Sequence, residues 1–403
     1  MKYVPIPIAM LAVGRQLPVD VWSDGGQLLL KKGQPIVSEQ HRGKLHSFNA
    51  CTTPGDALAW QRAYERMVHA MIREGLDLQQ ISNASMPSEI RESDYIVGQE
   101  ARGGWLDLQA VLRGILYQGG LAIHPASRLE GIKVKALALL KENPDDSLFC
   151  LFQALGDESL GYCATHALLC FAICELTAQK LGWILAEREP MHSAALTMNI
   201  AMAREQDSMA RQATALTDWQ RALIQQHSGR GADVLTGFGW DEADVLDIVR
   251  WHHAPADPAA MPRNLGRRRL LHLADGFVAR TAARKTRSAQ SAVQAVKSMV
   301  MGAEGDAVGV SSAMAQAVGF YPPGSYVLLL NGETAVSVQR GQRANTPWVI
   351  SIVDKDGIPM SHYVCRESTA APYTIQSPVI FDHVRVVVQT EKVRRARERI
   401  PKV

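Results

Sequence analysis

The chain has 403 residues, 47% of them hydrophobic and 21% charged, values that suit two or three globular domains with a sizeable core. Lys plus Arg number 43 against 40 for Asp plus Glu, and this near-balance excludes a polyanion-coating protein while leaving room for a local basic patch. Six cysteines form no disulfide framework and no C-x-x-C pair, so a reducing compartment fits best.

The first fourteen residues carry one Lys and an apolar stretch broken by Pro5 and Pro7, a poor signal peptide and too short a membrane span. The longest apolar run elsewhere is Ala167–Cys174, the length of a buried helix segment. A cytoplasmic, soluble protein is expected. Residues 1–50 read as a small β-rich module, in which Asp24-Gly25-Gly26 separates Val19–Trp22 from Gln27–Leu30 as a hairpin turn would. Ala57, Trp60, Tyr64, Met67 and Met71 then follow a helical period, and the polar stretch 76–100 reads as a linker. From about 105 to 318 the period is helical almost throughout, with 163–182 apolar on more than one face, as in a central helix. Residues 321–390 turn strand-like at Tyr326–Leu330, Ala335–Val338, Trp348–Val353 and Val384–Val388. The tail Lys392–Lys402 is basic and reads as a solvated or disordered run. The expected divisions are therefore 1–50, a helical linker region 51–140, a helical domain 141–320, and a β-rich extension 321–403 with a basic tail.

The helical region holds His166, His227, the pair His252-His253, and the segment Leu271-His-Leu-Ala-Asp275. Histidines spread over several helices, with an Asp at the end, are what a helical metallophosphohydrolase needs, since each helix contributes one or two ligands to a common core.

Here the chain resembles the HD-GYP branch of the HD phosphohydrolases, the metal-dependent phosphodiesterases of cyclic di-GMP. The resemblance runs from about residue 145 to 340. His166 in Cys163-Ala-Thr-His166 matches the family's first histidine. Leu216-Thr217…Ile224-Gln-Gln-His227-Ser…Gly231-Ala-Asp-Val-Leu235 is similar to its next segment, Trp251-His252-His253 to its double histidine, and Leu273-Ala-Asp275 to its closing metal-ligand Asp. Tyr321-Pro-Pro-Gly-Ser325-Tyr-Val327…Asn-Gly-Glu333 is close to its "YPPGS.V.L..GE" signature. The resemblance implies a mainly α fold: an HD-type helical bundle, a small β-rich N-terminal module and a short β-rich C-terminal extension.

The departures decide the expected chemistry. Where the family has the HD dipeptide, this chain has Met198-Asn199, and the following Gly-Lys is Ala201-Met202. The D-G-x-G-Y-P motif retains only its ends, Asp257 and Pro262. The Glu that some members carry four residues before the first histidine is Tyr162. The family reaction uses two metals about 3.5–4 Å apart that bridge the attacking hydroxide. The Asp of HD bridges them with two anionic oxygens, whereas Asn offers one neutral oxygen and Met a soft thioether. Loss of the Lys removes a charge that would hold a substrate phosphate. The resemblance implies metal ligands at His166, His227, His252, His253 and Asp275, ligand contacts at Arg284, Arg287, Asp257 and Pro262, and one divalent Fe, Mn or Zn rather than a two-metal centre.

The reading is a degenerate HD-GYP signalling protein, catalytically impaired, that binds cyclic di-GMP or a partner such as a GGDEF protein, with no nucleic acid and no membrane involved. Two readings stay open beside it: an active phosphodiesterase with an altered ligand set, and a regulatory scaffold like the HDOD domains. Bland roles are weighed too. His252-His253 could be a helix-end pair, Asp275 a cap or salt-bridge partner, and the arginines at 263, 267–269, 280, 284 and 287 a solvated face rather than a phosphate-facing patch. Cys163, Cys170 and Cys174 share the His166 face and read as small buried hydrophobes. His192 reads as facing away from the site.

Overall fold

The computed structural model of the chain describes residues 3–73, 76, 79–80, 84–90, 104–283, 285, 289–302, 305, 307–384 and 386–400. It divides into two units, 1–99 and 100–403, and is mainly α with two small antiparallel sheets.

In the first unit the Asp24-Gly25-Gly26 turn closes a hairpin between β2 (Val21–Trp22) and β3 (Leu28–Leu30). With β1 (Val4–Pro5) and β4 (Cys51–Thr52) these strands form a sheet in the order β1-β4-β2-β3. Ser38 caps α1 (Glu39–Ser47) by accepting from the His41 N–H. α2 (Pro54–Arg73) buries Ala59, Trp60 and Ala63 in one core with Leu17, Val19, Val21 and Ile36. The first module therefore runs past residue 50, because its short sheet buries its apolar face against α2.

The second unit begins with α3 (Trp105–Gln118) and α4 (Pro125–Glu142). Their stripes, Leu108, Leu112, Ile115 and Leu129, Ile132, Ala136, join the main core, so these helices are part of the bundle rather than a linker. α5 (Pro144–Leu155) follows, capped by Asn143. α6 (Tyr162–Lys180) is the central helix: every side chain from Tyr162 to Ala178 is buried. It carries no charged residue before Glu175, so it can be surrounded. Packed against it are α5, α7 (Leu185–Thr197), α8 (Ala203–Arg211), α11 (Leu265–Thr281) and α13 (Ala307–Val318). α9 (Asp218–Gly237), opened by a Thr217–Gln220 capping box, and α10 (Ala243–Trp251) pack on each other, and α10 packs on α7. α12 (Ala292–Met301) packs between α11 and α13.

The Tyr-Pro-Pro-Gly-Ser segment leads into a five-stranded sheet, β5 (Tyr326–Leu329), β6 (Thr334–Gln339), β7 (Trp348–Val353), β8 (Pro359–Glu367) and β9 (Ile375–Val379), in the order β8-β7-β6-β5-β9. Gly324 sits at φ +97°, and a Cβ there would meet the Phe152 Cβ at 2.7 Å. Glycine thus lets the turn lie directly on α5. Gln153 of α5 donates to the Gly324 carbonyl at 2.8 Å and accepts from the Tyr326 hydroxyl at 3.0 Å.

Two expectations fail here. No strand forms at the described residues of 384–388; Val384 and Val388 pack irregularly against the sheet core, and β8 and β9 supply the strands instead. The basic tail is not free either. It forms α14 (Thr390–Arg397), whose Val393 and Ala396 are buried and whose Arg397 bridges Asp146 and donates to the Val338 carbonyl at 2.7 Å. Among the described residues no helix is long and apolar enough to cross a membrane.

Candidate metal centre

Three histidines converge at one end of the bundle. His227 lies midway along α9, and His252 and His253 follow the last turn of α10. One ligand atom from each lies within 4.8 Å of the other two. Ring centroids are 5.4 Å apart for His227–His252, 5.0 Å for His227–His253 and 4.1 Å for His252–His253.

The hydrogen bonds orient the rings. His227 Nδ1 is 2.5 Å from the Ile224 carbonyl, and His252 Nδ1 is 2.7 Å from the Val249 carbonyl. A carbonyl only accepts, so both Nδ1 atoms carry hydrogen and both Nε2 atoms keep a lone pair. Both Nε2 atoms are buried with no hydrogen-bond partner among the described residues. Burial pushes all three histidines toward the neutral form, His252 down to about 3, helped by the neighbouring His253 and opposed by Asp275. Neutral imidazoles with one nitrogen tied to a carbonyl and the other free are the form in which histidine ligates a metal.

His166 and Asp275 behave differently. His166, on the first turns of α6, has its Nε2 at 2.8 Å from Asp275 Oδ1 and its Nδ1 at 2.8 Å from the Tyr162 hydroxyl. The carboxylate accepts, so Nε2 donates to it and Nδ1 accepts from Tyr162. Burial alone would raise the Asp275 carboxyl. The hydrogen bond from His166, with the imidazoles of His252 and His253 nearby, holds it well below the usual carboxylate range. Asp275 is thus a hydrogen-bond partner of a histidine, not a helix cap.

Met198 and Asn199 are buried where α7 ends. The Met198 carbonyl packs 3.4 Å from where a Cβ on Gly231 would stand, one helical turn beyond His227. The substituted pair is therefore next to the cluster and supplies no imidazole or carboxylate. Asn199 Nδ2 is buried without a partner. Asp257 spends a carboxylate oxygen on the Ala259 N–H at 2.8 Å, and Pro262 is exposed at the start of a 3-10 turn. Neither is in the histidine group. Arg284 and Arg287 lie outside the described residues.

The sequence reading missed what holds these histidines. Asp247 of α10 and Arg268 of α11 form a buried pair at 2.5 Å. Asp247 also accepts from the Met261 N–H at 2.8 Å and from Asn264 at 3.0 Å, and Arg268 donates to the carbonyls of Pro255 at 2.9 Å and Met261 at 2.8 Å. The loop after His252-His253 is thereby pinned at both ends. One arginine of the expected basic face is thus internal, and Arg263 pairs with Asp244 at 2.7 Å. Asp207 of α8 accepts from the Cys163 N–H at 2.6 Å and so caps α6 from outside, just ahead of His166. Gly161, at φ +88°, makes room: a Cβ there would stand 2.6 Å from the Asp207 carboxylate. Cys163, Cys170 and Cys174 are buried, and burial raises their thiols, so they are poor ligands. His192 is a core histidine, its Nε2 at 2.6 Å from buried Glu175.

His227, His252 and His253 fit one divalent metal, on the strength of the two orphaned Nε2 atoms and a donor set suited to such ions. The residues for a second metal do not fit: His166 and Asp275 are engaged with each other, and Asn199 supplies no carboxylate.

No family model matches the chain, and no curated protein is similar to it. A solved structure, a HDG"Y"P protein from Bdellovibrio bacteriovorus, is similar at a TM-score of 0.38 and 14% identity, covering 77% of this chain and 98% of the other. Similarity at that level assigns no residue a role; the distances above carry the site.

Proposed function

We propose that the chain is a degenerate HD-GYP-type signalling protein that holds one divalent metal on His227, His252 and His253 and acts by binding rather than by hydrolysis. The observation that carries this reading is the pair of buried, unpartnered Nε2 atoms beside a His166–Asp275 pair already satisfied. A metal there would supply a positive charge for an anionic ligand. Met198 and Asn199 cannot furnish the bridge that a second metal needs. The ligand class is cyclic di-GMP or a protein partner of that signalling system, such as a GGDEF protein.

Elemental analysis of the purified chain, run beside a cyclic di-GMP turnover assay, tests this. One metal per chain and no turnover above the blank are expected. Two tightly held metals with sustained turnover overturn it.

A further inference from the structure

A cavity of about 360 Å³ opens beside the imidazole cluster. One wall is Pro255, in the loop that follows His252-His253. Another is the face of α11 that carries Arg269, His272 and Arg280, and Leu273 and Met299 add apolar surface. None of the described residues lining it has a carboxylate. The Arg280 guanidinium and the His272 ring both line it.

His272 is tied to the cluster through the backbone: its Nδ1 is 2.9 Å from the His252 carbonyl, and its ring centroid is 6.0 Å from that of His253. Nδ1 therefore carries hydrogen, and Nε2 accepts. Arg280 folds back along its own helix. Its Nη1 lies 2.7 Å from where a Cβ on Gly276 would stand, so the missing side chain at Gly276 gives the guanidinium its place. An arginine fork takes phosphate oxygens, and a histidine acceptor takes a hydroxyl or N–H. The volume is at the small end of ligand sites, which span roughly 300–1,000 Å³. It suits one nucleotide rather than the two of a cyclic dinucleotide.

We infer that this cavity binds a phosphate monoester of mononucleotide size, its phosphate on Arg280 and a hydroxyl or N–H on His272 Nε2. The inference rests on the reading of the chain as a binding module and adds a second ligand to it, in a pocket that itself needs no metal.

Calorimetric titration of the full chain with GMP, repeated in competing inorganic phosphate, tests it, with the metal content of each sample measured in parallel. Saturable GMP binding is expected, displaced by phosphate and weakened at least about tenfold in Arg280→Ala. Gly276→Ala should weaken it too, by pushing the guanidinium aside, while leaving the helix and the metal content intact. GMP that fails to bind, or that binds Arg280→Ala as tightly, overturns the inference. Metal loss with GMP binding intact sinks the metal reading alone, and the reverse sinks only the pocket.

Discussion

The two halves of the histidine cluster have opposite hydrogen-bond states. In the His227, His252 and His253 half, two buried Nε2 atoms lack a partner among the described residues. In the His166 and Asp275 half, both ring nitrogens of His166 are bonded, to Tyr162 and to Asp275. An unsatisfied buried acceptor costs about 1–3 kcal/mol, so a group that bonds these nitrogens gains that much in the first half and nothing in the second. A ligand relieves the first half and has nothing to offer the second. The five expected ligand positions thus split by what their free nitrogens are doing, not by residue type.

The anchor of the first half is the place to break it hardest. Asp247→Ala leaves Arg268 buried without its carboxylate and releases the Met261 N–H. The expected loss is about 3–5 kcal/mol, read by chemical denaturation. A loss well under that would mean the loop bearing His252 and His253 is held by something else.

Ligand removal sharpens the contrast. Losing an outer partner of a metal ligand typically costs 10–100-fold in affinity, so His252→Ala should lower metal affinity by more than about 100-fold in chelator competition. His166→Ala should leave it unchanged. Equal losses from both substitutions would merge the halves into one centre.

The smallest effect belongs to the satisfied half. Tyr162→Phe leaves His166 Nδ1 buried without its donor and should cost about 1–3 kcal/mol in thermal or chemical unfolding. Metal content should not move. A change in metal content would place His166 among the ligands after all.

Much of this was legible in the chain itself. The helical period marks the central helix because α6 is apolar on every face until Glu175. The histidines at 166, 227, 252 and 253 stand out as residue types that metals use, and Met198-Asn199 as types that cannot replace an HD pair. The strands β8 and β9 were not legible. Both are edge strands; β8 alternates polar residues such as Ser361 and His362, and β9 contains Pro378, so neither makes a clean apolar alternation. The basic tail misled because its two buried residues, Val393 and Ala396, are a narrow stripe among arginines.

The sequence by itself determined the helical class and the inventory of possible ligands, since these follow from local periodicity and residue chemistry. Only the tertiary structure decided which histidines keep a free nitrogen. Tyr162 is four residues from His166, but Asp275 is 109 away, and Asp247 meets Arg268 across 21 residues. Hydrogen bonds between such distant positions depend on how helices pack, and no local pattern of the chain encodes them.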